Sequence, residues 1–191
     1  MPNILIFGDS IVYGAFDPEA GGWADRLKAF FFKDGRNYDY FVYNLGISGD
    51  TTENLLERFE FETKQRSDED KTSFIFSIGI NDSAWMHSKN NHWVLPNKFI
   101  DNIKKLIQLA QKFSSKIIFV SLSPVDETKT TPIPWNTDLS YKNEWIQEYN
   151  KIIKSICEEN KILFIDVFEK FIKLDYTKLL EDGLHPNSKG H

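Results

Sequence analysis

Cysteine is almost missing. Cys157 is the single one in 191 residues, which excludes an intrachain disulfide framework. It falls on the apolar face of a helical pattern, where a buried structural thiol is expected rather than a nucleophile. No apolar run approaches the roughly 18 residues needed to cross a bilayer as a helix, so no integral membrane association is expected. Pro2 and Asn3 run straight into the strand-like Ile4–Phe7, leaving no room for a signal peptide and pointing to a cytoplasmic protein. Positive charge is also scarce. Lys plus Arg total 23 against 28 Asp plus Glu, a net charge of −5, which argues against nucleic acid as a partner. Repeats and low-complexity linkers are absent as well, so residues 1–191 read as one domain.

What the chain has in excess is aromatic residues, at 15%, with 16 Phe carrying most of it. A Phe-rich core is the first expectation. Short apolar runs at Ile4–Phe7, Tyr40–Leu45, Phe74–Ile78, Ile117–Leu122 and Ile162–Val167 suit strands buried on both faces of a parallel sheet. Helical stripes lie between them, over Trp23–Phe32, Thr51–Phe61, Pro96–Phe113 and Leu139–Glu159. Such alternation predicts right-handed crossovers and a three-layer α/β sandwich. Two long irregular stretches, Ser83–Leu95 and Pro124–Asp138, follow strands and should overhang the site. They hold Trp85, Trp93 and Trp135, which are expected as pocket walls.

In open α/β sheets, ligands bind beyond the carboxyl ends of the strands. Three of the candidate segments fall there. Gly8-Asp9-Ser10 follows the first strand, Gly46-Ile47-Ser48-Gly49-Asp50-Thr51 the second, and Gly79-Ile80-Asn81-Asp82 the third. Taken singly, each reads equally well as a turn or a helix entry. The fourth segment, Asp182-Gly183-Leu184-His185-Pro186, lies beyond the last strand. A serine hydroxyl needs a base to become a nucleophile, histidine supplies one near neutral pH, and a carboxylate fixes its tautomer. A serine, a histidine and an aspartate are all at hand. The sequence lacks G-x-S-x-G, G-x-x-x-x-G-K-[ST] and G-x-G-x-x-G, so neither a nucleophile elbow nor those nucleotide loops are supported.

These four blocks, in this order over residues 8–186, resemble the GDSL, or SGNH, hydrolase family of esterases and lipases. The resemblance implies a flavodoxin-like three-layer α/β/α sandwich with a five-stranded parallel sheet. It implies Ser10 as nucleophile, His185 as general base and Asp182 as orienting carboxylate. The oxyanion hole would be the Ser10 and Gly49 backbone N–H groups and the Asn81 side-chain amide. The expected substrate is a small-molecule carboxylic ester, short acyl or acetyl esters first, with no cofactor and no metal. Ile11, Val12 and Tyr13 follow the serine where the family often has Leu or Thr, which bears on pocket shape. The family continues past the His block into a final helix, whereas this chain stops at His191, so it is expected to lack that helix and to leave core surface uncovered. Two other readings stand beside this one. One is a non-catalytic sugar- or acyl-binding module of the same fold. The other is a metal-dependent hydrolase using Asp9, Asp82, Asp182 and His185. His87 and His92 are spaced wrongly to share one helix face and are expected to be solvated.

Overall fold

The computed structural model describes residues 2–33, 40–68 and 71–191. The sequence reads Lys64–Lys71 as a charged surface connection, and part of that stretch lies outside the described residues. In chain order the elements are β1 (Asn3–Gly8), α1 (Ser10–Tyr13), α2 (Gly22–Lys33), β2 (Phe41–Gly46), α3 (Thr52–Lys64) and β3 (Thr72–Ser77). There follow β4 (Trp85–Met86), β5 (Asn91–His92), α4 (Pro96–Gln111), β6 (Ile117–Val120) and α5 (Glu127–Thr130). The chain closes with β7 (Leu139–Ser140), α6 (Asn143–Glu159), β8 (Leu163–Ile165) and α7 (Phe168–Ile172).

Five strands form a parallel sheet in the order β2-β1-β3-β6-β8. This is the flavodoxin-like order, and the direction of winding reverses between β1 and β3, where a crevice opens. The strands on either side are in register at their carboxyl ends, with Gly8 beside both Gly46 and Ser77. The segments after β1, β2 and β3 therefore leave the sheet at one level.

The larger core lies on the face covered by α3, α4 and α6. Phe7, Phe59, Phe74, Phe76 and Phe119 are fully buried there, and their rings meet at centroid distances of 5.1 to 6.5 Å. Burying each such ring stabilises the fold by roughly 1.5–3 kcal/mol. On the other face α2 covers Ile4, Ile6 and Val42. Beside α2, among the described residues, an apolar groove of about 470 Å³ runs along Trp23, Leu27, Ile75, Val120, Ile165 and Phe171. Asn187–His191 forms a single helical turn, with the Gly190 and His191 N–H groups donating to the Asn187 carbonyl.

One expectation fails here. The helical stripe was drawn from Leu139, but α6 begins at Asn143. Leu139 and Ser140 instead pair antiparallel with β4, which also pairs with β5, making a small three-stranded sheet beside the main one. The stretches 83–95 and 124–138 are thus less irregular than expected, since they carry β4, β5 and α5.

Candidate active site

Ser10 opens α1 directly beyond β1. The Asp9 side chain caps that helix by accepting from the Ile11 N–H at 2.9 Å, and Gly14 ends it at φ 90°. The sharp exit from the sheet needs Gly8, because a Cβ there would stand 2.2 Å from the Ser77 carbonyl oxygen. Ser10 is only 8% exposed and His185 9%.

His185 sits on a loop closed by pairing of Leu180 with Pro186 and by the Glu181 N–H donating to the His185 carbonyl at 2.9 Å. Inside it, Asp182 Oδ1 accepts from the Leu184 and His185 backbone N–H groups at 2.9 and 2.8 Å. Its Oδ2 lies 2.7 Å from His185 Nδ1, and His185 Nε2 lies 2.8 Å from Ser10 Oγ. A carboxylate can only accept, so Nδ1 carries the proton and Nε2 presents its lone pair to the serine hydroxyl. Burial alone would raise the Asp182 carboxyl, but the imidazole and the two backbone donors outweigh it and hold the group below the usual carboxylate range. The Asp182 carboxyl, the imidazole and the serine hydroxyl thus stand in line.

Gly49 is exposed at φ +84°, at a turn where the Asp50 N–H donates to the Ile47 carbonyl at 3.2 Å. Among the described residues, neither the Gly49 nor the Ser10 backbone N–H has a hydrogen-bond partner. Asn81 follows β3 and is buried. Its Nδ2 donates to the Asp50 carbonyl at 2.9 Å, and its Oδ1 accepts from the Tyr141 hydroxyl at 3.0 Å. One of its amide hydrogens is left for another acceptor.

The three tryptophans expected as walls part company. Trp135 lies with its ring 6.1 Å from that of His185 and is 52% exposed. Trp85 stacks on Trp145 at 5.8 Å, and Trp93 packs against the main core. Neither makes a ring contact with His185 among the described residues. Sequence reasoning missed Phe16, whose ring stands 5.3 Å from the imidazole and is 51% exposed. Its backbone is in the left-handed region at φ 65°, a conformation costly for Phe that no local motif announced.

The remaining candidates are engaged elsewhere. His87 Nε2 lies 2.8 Å from Ser140 Oγ and His92 Nδ1 lies 2.9 Å from the Ser83 carbonyl, so neither histidine is simply solvated. Asp82 is buried and accepts from both the N–H and the hydroxyl of Thr52. Burial pushes the carboxyls of Asp9 and Asp82 up to about 7. No three His, Cys, Asp or Glu side chains are grouped to hold a metal ion among the described residues. Cys157 is buried in the core, its thiol pushed up to about 12 by desolvation.

Comparison with known proteins bears on this geometry. A GDSL esterase/lipase of Arabidopsis thaliana is 25% identical over 207 residues, spanning 100% of this chain and 81% of that relative. An acetylxylan esterase of Geobacillus stearothermophilus is 28% identical over 159 residues, spanning 78% of this chain and 66% of the relative. The lipase/acylhydrolase of Enterococcus faecalis has the same fold, with a TM-score of 0.75 at 23% identity, covering 100% of this chain and 89% of that one. The model of the GDSL-like lipase/acylhydrolase family matches residues 6–191, and the chain belongs to that family of esterases and acylhydrolases.

Proposed function

We propose that the protein hydrolyses carboxylic esters by two-step acyl transfer through Ser10. The observation that carries this reading is the unbroken line Ser10 Oγ, His185, Asp182, with contacts of 2.8 and 2.7 Å. Ser10 Oγ attacks the carbonyl carbon while His185 Nε2 takes its proton. His185 returns that proton to the departing alcohol as the carbon–oxygen bond breaks, leaving the acyl group on Ser10. Water then attacks the acyl-enzyme, giving its proton to His185, and Ser10 recovers a proton as the acid leaves. The negative oxygen formed in each step is received by the Ser10 and Gly49 N–H groups and the free Asn81 amide hydrogen.

Short acyl esters are the substrates this reading favours. The half-exposed rings of Phe16 and Trp135, 5.3 and 6.1 Å from the imidazole, offer the ester an apolar face. The acetylxylan esterase relative makes an acetylated sugar a reasonable alcohol part. Among the described residues no helix is long and apolar enough to cross a membrane.

A fluorophosphonate label tests the nucleophile without a guess about substrate. One adduct per chain, mapped to Ser10 by mass spectrometry and lost in Ser10→Ala, is expected. A folded protein that takes no label, or takes it elsewhere, sinks the reading. Asn81→Ala should lower kcat by about 10²–10³ at unchanged folding, the usual cost of one oxyanion donor. Across p-nitrophenyl esters, kcat/KM should fall from acetate to decanoate, and a rise would reassign the substrate to long chains.

A further inference from the structure

From the hydrogen-bond geometry behind Asn81 we infer that Tyr141 is a positioning residue for the oxyanion hole, acting through the Asn81 amide. The inference rests on the acyl-transfer reading above and adds a residue to it.

A buried tyrosine hydroxyl needs a partner, and any carbonyl would satisfy it. This one donates to Asn81 Oδ1 at 3.0 Å, while Asn81 Nδ2 donates to the Asp50 carbonyl at 2.9 Å. The amide is therefore held at both ends. A carbonyl accepts only and the phenol donates, so the two partners also decide which end is nitrogen. The second Nδ2 hydrogen is then fixed in direction, since the amide is planar. A proton donated to Oδ1 draws electron density away from Nδ2 and makes that hydrogen a better donor to an oxyanion. Both effects are in place before substrate arrives, which is where electrostatic stabilisation gains its force.

The two ends of the clamp are themselves anchored in different parts of the fold. The Tyr141 N–H donates to the Thr130 carbonyl at 2.8 Å, and the Tyr141 carbonyl accepts from the hydroxyls of Thr130 at 2.9 Å and Thr131 at 3.3 Å. On the other side Asp50 Oδ2 accepts from Arg58 Nε at 2.7 Å, and Arg58 Nη2 reaches the carbonyls of Leu45 at 2.9 Å and Gly8 at 3.2 Å. Burial holds the Tyr141 hydroxyl above the usual phenol range, so it stays a donor at every working pH.

The test is a double-mutant cycle with p-nitrophenyl acetate on the whole chain. Tyr141→Phe keeps the ring and removes the hydroxyl. Its kcat is expected to fall about tenfold, the worth of one orienting hydrogen bond, with KM changed less than about twofold. In the Asn81→Ala background the same substitution should change kcat less than about twofold, because its target is gone. Full kcat in Tyr141→Phe overturns the inference, and so does an equal loss in both backgrounds. If Asn81→Ala alone keeps full rate, the oxyanion assignment falls and takes this inference with it. If Asn81→Ala is slow and Tyr141→Phe is not, only Tyr141 loses its role. Should Tyr141→Phe fail to fold, NMR of the unmodified protein decides. A slowly exchanging Tyr141 hydroxyl proton with a nuclear Overhauser contact to the Asn81 amide is expected, and its absence counts against the clamp.

Discussion

Asp182 does two jobs with its two oxygens, and a single substitution separates them. Oδ1 shapes the loop by accepting from the Leu184 and His185 N–H groups, and Oδ2 orients the imidazole at 2.7 Å. In Asp182→Asn the amide oxygen can keep the backbone bonds while the NH₂ faces Nδ1. A donor there favours the wrong tautomer, with the proton on Nε2, and the serine loses its base. The expected result is a kcat lower by about 10⁴ with near-native circular dichroism. A variant retaining more than a tenth of the rate would show that the imidazole is oriented by something else. That Ser10, Asp182 and His185 belong together is an expectation the sequence supports because acyl transfer demands those three residue types, and the fold brings the three side chains into contact. Tyr141 and Phe16 were not legible in the sequence. Tyr141 sat at helical spacing with Trp145 and Tyr149 and read as core, since periodicity reports the ring and is blind to the hydroxyl. Phe16 owes its position to a left-handed backbone that only the folded loop imposes.

At the level of elements, the five strands of the main sheet were plain because each is a short apolar run carrying its own signal. The start of α6 was not, because Leu139 and Ser140 are decided by pairing with Trp85 and Met86, more than 50 residues away. Two-residue strands leave no local pattern, and Leu139 and Tyr141 stand seven and four residues before Ile146 and Trp145, which imitates the helix that follows. The glycines at the strand ends differ in the same way between local and tertiary causes. Gly8 is required by packing, since a Cβ would lie 2.2 Å from the Ser77 carbonyl oxygen and 2.3 Å from Val12 Cγ2, both on packed elements. Gly49 is required only by its φ of +84°, with open space where a Cβ would go. Gly8→Ala should therefore cost about 3 kcal/mol in urea unfolding, and Gly49→Ala about 1–2 kcal/mol. Equal losses would mean that α1 can shift away from β3 at little cost and that the serine is less firmly placed than its contacts imply.

For the whole molecule, buried carboxyls decide how stability changes along the pH axis. Asp9 and Asp82 ionise near 3.8 in an unfolded chain but near 7 when buried. Between those values the folded protein binds more protons than the unfolded one, so stability falls as pH rises from about 4 to 7. Asp17 works the other way. Burial would raise it, but Ser188, the Gly22 and Ala20 N–H groups and Arg26 hold its carboxyl far below the usual range. The stability it contributes is complete above the unfolded value and is lost as pH falls below about 4. The Arg26 guanidinium also donates to the Ser188 carbonyl at 2.9 Å, which links Asp17 to the segment following His185. Stability should therefore peak in mildly acidic solution. Calorimetry from pH 3 to 8 should show Tm declining from about pH 5 to 7 by several degrees, as about 2–4 °C accompanies each kcal/mol in a chain of this size. Asp82→Asn is expected to lower Tm throughout, because Thr52 loses a charged acceptor, and to flatten that decline. Asp17→Asn should leave the decline intact and lessen the fall on the acid side, where Asp182 still contributes. A Tm that rises steadily from pH 5 to 7 in the unmodified protein would mean that Asp9 and Asp82 reach solvent and ionise as ordinary carboxyls.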